Sequence, residues 1–181
     1  QSKIIKNVFI VLMGTVLLAI SSKIKIPFYP VPMTMQTLVV LFLGITLGWK
    51  LGVTTVALYL FEGIIGLPVF SGSPEKGVGI IYFTGPTMGY LIGFLFTAYF
   101  AGSFTYSKNI LGPKLLIKFL QLSFSVSFIY IFGILWLGVL IGWEKPLFQL
   151  GVQPFLLAEL FKVLIILLSM SKLKKLNQYL Q

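Results

Sequence analysis

QPFLLAELFKVLIILL, residues 153–168, is an almost wholly apolar stretch that carries two ionisable side chains, Glu159 and Lys162. A charged residue at the depth of a bilayer centre costs roughly 2.5–3.5 kcal/mol on insertion scales. Residues three positions apart lie about 60° from each other around an α-helix, so both side chains project from one face. In lipid that face must meet protein or a water-filled cavity, which favours a ligand site over a pair that only neutralises itself.

The composition indicates an integral membrane protein. The 181 residues are 57% hydrophobic and 10% charged, with a mean hydropathy of +1.00. That is more apolar surface than a soluble domain of this length can bury. The net charge of +10 comes from lysine, with no arginine in the chain. Because the lysines flank apolar segments, they indicate membrane topology rather than a nucleic-acid surface, and we expect no nucleic-acid partner.

Histidine, cysteine and the P-loop motif are all absent from the sequence. The chain therefore has no imidazole or thiolate for a nucleophilic triad or a zinc site, and no Walker motif for ATP. These absences argue against an enzyme, and we expect no catalytic residue, no metal site and no resident cofactor. Energy for any active transport has to come from another protein.

Six segments approach the roughly 20 apolar residues that a transmembrane helix needs. They are residues 7–22, 34–49, 51–67, 86–106, 115–141 and 152–171. The second and third are separated only by Lys50 between Gly48 and Gly52, which predicts a tight turn. The first also resembles a secretory signal peptide, although its apolar run is long for one. We predict a single all-α membrane domain over residues 1–181, a bundle of six transmembrane helices.

The lysines predict the orientation of this bundle. Six spans put most of the lysines on one side, which the positive-inside rule makes cytoplasmic, together with both termini. That side receives Lys3, Lys6, Lys50, Lys108, Lys114, Lys118, Lys172, Lys174 and Lys175, and the other receives Lys23, Lys25, Lys76 and Lys145. Loops 24–33, 68–85 and 142–151 are then outside the cell.

The first two outer loops are rich in proline, glycine and aromatic residues, including Phe70 and Tyr82. A connector that is only solvated would be polar. Two interpretations stay open: a lid over an apolar cavity, or aromatic anchoring at the membrane interface.

Three further polar side chains are candidates for the cavity wall. Gln36 at the outer start of the second span offers an amide donor and acceptor, whereas Thr34 nearby is interpreted as a helix cap. Tyr90 near the start of the fourth span is expected in the cavity. Glu62 either faces the cavity or lies at the interface bonded to backbone.

Glycine spacing predicts where helices approach each other. Glycines four residues apart form a groove on one helix face. Such strips are Gly85, Gly89 and Gly93 on the fourth span and Gly44, Gly48 and Gly52 around the predicted turn, with a small-residue strip of Gly14, Thr15 and Ala19 on the first span. We interpret all three as packing surfaces.

Four motifs in order resemble the BioY family, the biotin-binding S components of energy-coupling-factor (ECF) vitamin transporters. They are VPMTMQ (31–36), GLPVF (66–70), GPTMGY (85–90) and PFLLAELFK (154–162), and the resemblance runs from about residue 8 to residue 170. It implies six transmembrane helices in the cytoplasmic membrane, with high-affinity capture of biotin from outside. It also implies a scaffold transmembrane subunit and two partner ATPases that hydrolyse ATP.

By this resemblance Glu159, where the family usually has aspartate, and Lys162 contact biotin, and the expected substrate site adds Gln36, Tyr90, Tyr82 and Phe70. A ureido ring offers two N–H donors to a carboxylate and a carbonyl to an ammonium. The biotin carboxylate needs another partner. Outer-loop N–H groups, Lys23, Lys25 and Lys76 are all candidates for that role.

The family's alanine-x-x-x-alanine face on the first helix is only approximated here, by Thr15 and Ala19 or by Gly14 and Leu18. Self-association as a solitary biotin transporter therefore stays open beside a dedicated scaffold partner. An S component for another small vitamin is a competing hypothesis, and a membrane-embedded enzyme or structural scaffold is a third.

Overall fold

The computed structural model describes residues 2–104 and 114–180 and is mostly helical. The helices are α1 (Ser2–Lys23), α2 (Gln36–Ile64), α3 (Ile80–Phe83), α4 (Met88–Ser103), α5 (Lys114–Ile141), α6 (Leu147–Gly151) and α7 (Leu156–Leu180), with a 3₁₀ turn at Gln153–Phe155. Two short strands, β1 (Lys25–Ile26) and β2 (Met33–Thr34), pair antiparallel. The prediction of a purely α-helical chain missed this pairing. The predicted span end at Tyr106 and the predicted cytoplasmic Lys108 lie outside the described residues.

Four helical segments of the described chain are long and apolar enough to cross a membrane: Lys3–Lys23, Gln36–Ile64, Leu115–Ile141 and Leu147–Leu180. Met88–Ser103 is apolar but shorter. The helices differ from the approximate predicted spans at several ends. The fourth helix begins at Met88 rather than at residue 86, and the last begins at Leu156 after the 3₁₀ turn and continues to Leu180. Pro154 explains the later start, because its ring prevents a preceding helical turn from continuing through it.

Helix α2 reverses direction at Gly48, whose φ of 74° and ψ of 169° are not helical. A Cβ placed on Gly52 would lie 3.1 Å from the Cα of Gly44. In a straight helix these two residues would be about 12 Å apart. The chain therefore forms two antiparallel arms, residues 36–47 and 49–64, and the predicted tight turn is confirmed. Glycine suits residue 48 because a side chain is strained at that φ.

Glycines bring α4 against its neighbours, as the sequence predicted. A Cβ on Gly44 would lie 2.8 Å from the carbonyl oxygen of Ala98, and one on Gly93 would lie 2.8 Å from that of Phe128. Gly89 meets the backbone of Phe132 in the same way. Helix α4 is thus held between the α2 hairpin and α5. Gly85 differs from the prediction because it precedes α4, where its carbonyl accepts a hydrogen bond of 2.8 Å from the Trp136 Nε1–H.

Helix α1 packs along the second arm of α2. A Cβ on Gly14 would lie 2.5 Å from Cγ2 of Thr55, and the Thr15 hydroxyl donates to the Glu62 carboxylate at 3.0 Å. The opposite face of α1 is exposed and apolar, and includes Ile4, Val8 and Phe9. This exposed face is what a lipid-facing or partner-facing helix requires.

Two loop segments, residues 24–35 and 65–87, cover one end of the helices and are called the loop cap below. The end of α1 fixes the second segment: the Ser22 hydroxyl donates to the carbonyl of Val69 at 2.8 Å, and the Lys23 ammonium donates to that of Phe70 at 2.7 Å. Lys25 donates to the carbonyl of Ser71. These carbonyls belong to a turn with few backbone partners of its own, so side chains satisfy them.

We predict that Gly93→Ala lowers the stability of the folded chain by about 1–3 kcal/mol, because the added methyl group forces two helix backbones apart. Thermal unfolding in detergent measures the change. Ser103→Ala, at the exposed end of the same helix, is the control and should melt close to wild type. Equal melting temperatures for the two variants would show that the close approach at Gly93 is not required.

Candidate ligand-binding site

A narrow cavity lies where the loop cap meets α2, α4, α5 and α7. Five of the six predicted site residues line it: Gln36, Phe70, Tyr82, Tyr90 and Glu159. The cavity has a volume of about 50 Å³, enough for a few waters. Glu159 comes 123 positions after Gln36 in the sequence, so the fold brings distant residues together at this cavity.

Glu159 and Lys162 form an ion pair at 2.7 Å, and both side chains are buried. The Lys162 ammonium also donates to the carbonyl oxygen of Thr34 at 2.7 Å, and the Thr37 hydroxyl donates to Oε1 of Glu159 at 3.2 Å. Lys162 is not part of the cavity wall. Its place behind Glu159 makes it the counter-ion that compensates for burying the carboxylate.

The second oxygen of Glu159, Oε2, has no hydrogen-bond partner within the described part of the chain, although it is buried. Tyr130 lies in the same cavity wall, and its hydroxyl interacts with the Glu159 carboxylate. A buried acceptor without a donor costs about 1–3 kcal/mol. Its position in a cavity wall is suited to a ligand that brings an N–H or O–H group.

Gln36 and Tyr59 form a chain of hydrogen bonds between α2 and the loop cap. The Gln36 amide donates to the Tyr59 hydroxyl at 2.8 Å, and that hydroxyl donates to the carbonyl oxygen of Val69 at 2.9 Å. The Gln36 Oε1 accepts from Thr34 at 3.3 Å. The amide therefore supports the cap as well as lining the cavity.

Two aromatic residues of the cap form the roof. Phe70 is 1% exposed, stacks on Tyr82 with ring centres 5.2 Å apart and meets Tyr59 edge-on at 5.5 Å. The Tyr82 hydroxyl accepts from the backbone N–H of Gly72 at 3.0 Å. In this structure the apolar, aromatic loop covers a cavity, as the lid interpretation of the sequence requires.

Tyr90 forms a side wall rather than a free polar group. Its hydroxyl donates to the carbonyl oxygen of Gly151 at 2.9 Å, and its ring meets that of Tyr130 edge-on at 6.1 Å. The hydroxyl thereby ties α4 to the end of α6, and the ring supplies apolar surface.

Glu62, for which the sequence left open a place in the cavity or a bond to backbone at the interface, bonds to another side chain instead. It does not line the cavity, and its half-buried carboxylate accepts from the Thr15 side chain rather than from backbone. A group of three or more His, Cys, Asp or Glu residues with metal-binding geometry does not occur in residues 2–104 and 114–180.

Sequence reasoning missed Thr37, Tyr59 and Tyr130. Thr37 follows Gln36 directly, and the two tyrosines carry hydroxyl groups within apolar helices. Each places a polar group in an apolar helix, as Glu159 does, but threonine and tyrosine are common in such helices and therefore give a weaker signal than a charged residue.

The family model described as the BioY family matches residues 1–179. The chain belongs to the BioY family. Among curated relatives, the biotin transporter BioY of Thermotoga maritima is 33% identical, over 90% of this chain and 92% of the relative. The probable biotin transporter BioY of Pyrococcus horikoshii is also 33% identical, over 87% of this chain and 89% of the relative.

The fold of this family member agrees with an experimental structure. The crystal structure of the S-component for biotin from an ECF-type ABC transporter superposes with a TM-score of 0.76 and 27% sequence identity. The match covers 97% of this chain and 94% of that one. The helices, the cap and the cavity therefore belong to an S-component fold along nearly the whole length.

We predict that Lys162→Met lowers the stability of the ligand-free protein by about 3 kcal/mol, because it leaves the Glu159 carboxylate buried without its counter-ion. The double variant Glu159→Gln/Lys162→Met removes both charges and should lose less than the single variant. Thermal unfolding of wild type, both single variants and the double variant measures the coupling. Losses that simply add would contradict a compensated pair.

Proposed function

We propose that this chain binds biotin in the cavity beneath the loop cap and takes it up as the substrate-specific component of an ECF-type transporter. The observation that carries the proposal is the buried, unpartnered Oε2 of Glu159, a residue of the cavity wall. Membership of the BioY family and the relatives named as biotin transporters support it. Transport rather than catalysis also agrees with a chain that lacks histidine and cysteine.

The ureido ring of biotin supplies the donor that Glu159 lacks. We assign one ureido N–H to Oε2 of Glu159, and we assign Lys162 the task of balancing the charge of that carboxylate and orienting it. Lys162 already donates to Glu159 and to Thr34, so a direct contact with the ureido oxygen requires it to reorient. The Tyr130 hydroxyl, beside Glu159 in the same wall, is our candidate donor to that oxygen.

Apolar side chains surround the polar end of the cavity. Leu91, Phe94, Ile129 and Phe155 line it together with the tyrosines. The fused rings and the alkyl chain of biotin are mostly apolar, and such surfaces are bound by apolar walls with a few polar groups that fix orientation.

For the topology we propose six transmembrane passes, both termini in the cytoplasm and a cavity that opens to the outside of the cytoplasmic membrane. The two arms of α2 count as separate passes, because the chain reverses at Gly48. The first arm is short for a span, but it is almost entirely buried by its neighbours and need not match the lipid. Most of the lysines are at the end of the bundle opposite the loop cap, and this excess supports the orientation.

For transport we propose alternating access, with ATP hydrolysed by partner subunits. Phe70 and Tyr82 of the loop cap cover the cavity, so entry requires the loop cap to move outward. A scaffold transmembrane subunit that contacts α1, together with two ATPases, would couple this motion to reorientation. Uptake of biotin by cells that express the chain with and without such partners separates this mechanism from a solitary, self-associating transporter.

We predict that Glu159→Gln weakens biotin binding about 10- to 100-fold, because a neutral amide replaces a charge-assisted hydrogen bond. Isothermal titration of the purified protein in detergent measures the affinity. Glu144→Gln, in a loop away from the cavity, is the matched control and should bind like wild type. A purified wild-type protein that does not bind biotin would refute the proposed function.

The division of roles between Glu159 and Lys162 is tested by the double variant. If Lys162 acts through Glu159, then Glu159→Gln/Lys162→Met should bind biotin no more weakly than Glu159→Gln alone. Independent contacts would instead give losses that multiply. Glu159→Asp, the residue usual in the family, should retain most of the affinity.

We predict that Lys23→Met speeds the release of bound biotin about tenfold, because it removes a charge-assisted hydrogen bond that holds Phe70 in the roof. The association rate should change little. Chase of radiolabelled biotin measures release, and Lys145→Met is the control lysine from another loop. Unchanged release would mean that the bond from Lys23 to the cap does not limit opening.

A second candidate function is uptake of another small vitamin. A carboxylate beside hydroxyl and ammonium groups can bind various small ligands that carry N–H groups, so these groups alone do not specify biotin. Competition by thiamine, riboflavin and biotin analogues decides between them, since only a cyclic urea should displace bound biotin at low concentration.

A further inference from the structure

A second cavity of about 180 Å³ lies within the loop cap and adjoins the first one. Here it is called the vestibule. The two cavities have Pro32, Tyr82 and Thr87 in common. A ligand that extends from Glu159 toward the cap therefore reaches the vestibule after passing these three residues.

The vestibule is cationic. Among the described residues, its wall contains Lys25 and Lys76 and no acidic side chain. The first cavity has no lysine in its wall, and its charged wall residue, Glu159, is neutralised by Lys162 behind it. The anionic end of a bound molecule is therefore attracted at the vestibule end and gains no such attraction at the Glu159 end.

The lysines of the cap differ in how far their ammonium groups are already used. Lys23 donates to the carbonyls of Phe70 and Ser73 and lines neither cavity. Lys25 lines the vestibule but donates to the carbonyl of Ser71. Lys76 is exposed, and its ammonium makes no hydrogen bond to the described residues. Of the three, it has the most donors to offer a ligand.

We infer that the vestibule is the carboxylate subsite, in which Lys76 binds the anionic end of the ligand and Lys25 adds positive potential. This inference rests on the proposed function, because the ligand is taken to be biotin with its ureido ring at Glu159. The valeryl chain then passes between Tyr82, Thr87 and Pro32. The site has Glu159 at one end and the two lysines at the other, and this fixes one orientation of the ligand. The N–H groups enter first, and the carboxylate stays beneath the cap surface.

The subsite also defines a class of ligand. It selects monoanions that carry a neutral N–H-bearing ring at the far end of a short alkyl chain. Neutral esters of the same acid fit the apolar walls equally well but lose the attraction to Lys76. Specificity for the free acid then comes from the cap, whereas specificity for the ring comes from α7.

The test pairs one protein change with one ligand change. Biotin and biotin methyl ester are titrated into wild type and Lys76→Met. Wild type should bind the ester about fivefold more weakly than biotin, and Lys76→Met should bind biotin about fivefold more weakly than wild type does, as expected for a partly exposed ion pair. Lys76→Met should bind the ester as wild type does. Lys145→Met is the control and should preserve the preference for biotin.

The outcomes separate this inference from the proposed function. Equal losses for biotin and ester in Lys76→Met would make Lys76 a structural residue of the cap and overturn the subsite. An unchanged affinity of Lys76→Met for biotin would overturn the subsite as well. Failure of wild type to bind either ligand would refute the proposed function, and the subsite with it. Raising the salt concentration should weaken biotin binding to wild type and leave ester binding unchanged, and equal salt dependence for both ligands would count against the subsite.

Discussion

The arrangement at the cap end depends on burying a glutamate–lysine ion pair inside an apolar helix. Glu159 and Lys162 meet at 2.7 Å within one turn of α7. Thr34 and Thr37 supply further hydrogen bonds to the pair, so the start of α2 is fixed to the last helix of the chain. Removing two charges from water costs several kcal/mol each unless such hydrogen bonds accompany the pair. At Oε2, which has no partner among the described residues, this compensation is incomplete.

In this chain of 181 residues, close packing of the helices at glycines holds the bundle around the site. Glycines at 44 and 52 let the arms of α2 touch, and those at 89 and 93 bring α4 against α5. In lipid, helix association relies on van der Waals contact rather than on the hydrophobic effect. The tight contacts near these glycines therefore hold the bundle, while the aromatic rings of α4, α5 and the cap enclose the cavity.

The sequence predicted features that depend on neighbouring residues. Glu159 and Lys162 had to share a face because helix geometry is local, and the glycines around Lys50 indicated the reversal at Gly48. Partners far apart in sequence were not predictable in the same way. The contact of Glu62 with Thr15 joins residues 47 positions apart, and that of Lys25 with Ser71 joins residues 46 apart. A lysine on an outer loop offers the same charge to a ligand or to a backbone carbonyl, and only the fold decides between them.

The contacts of α1 connect its exposed face to the cavity roof. Along its length α1 is joined to α2 through Thr15 and Glu62, and at its end Ser22 and Lys23 hold the carbonyls of Val69 and Phe70. The Phe70 ring is the covering of the cavity itself. A displacement of α1 relative to α2 therefore has to stretch or break the bonds that keep Phe70 in place. The opposite face of α1 is apolar and exposed in the described chain. A partner that binds to this face and displaces α1 therefore moves the cap without contacting the ligand.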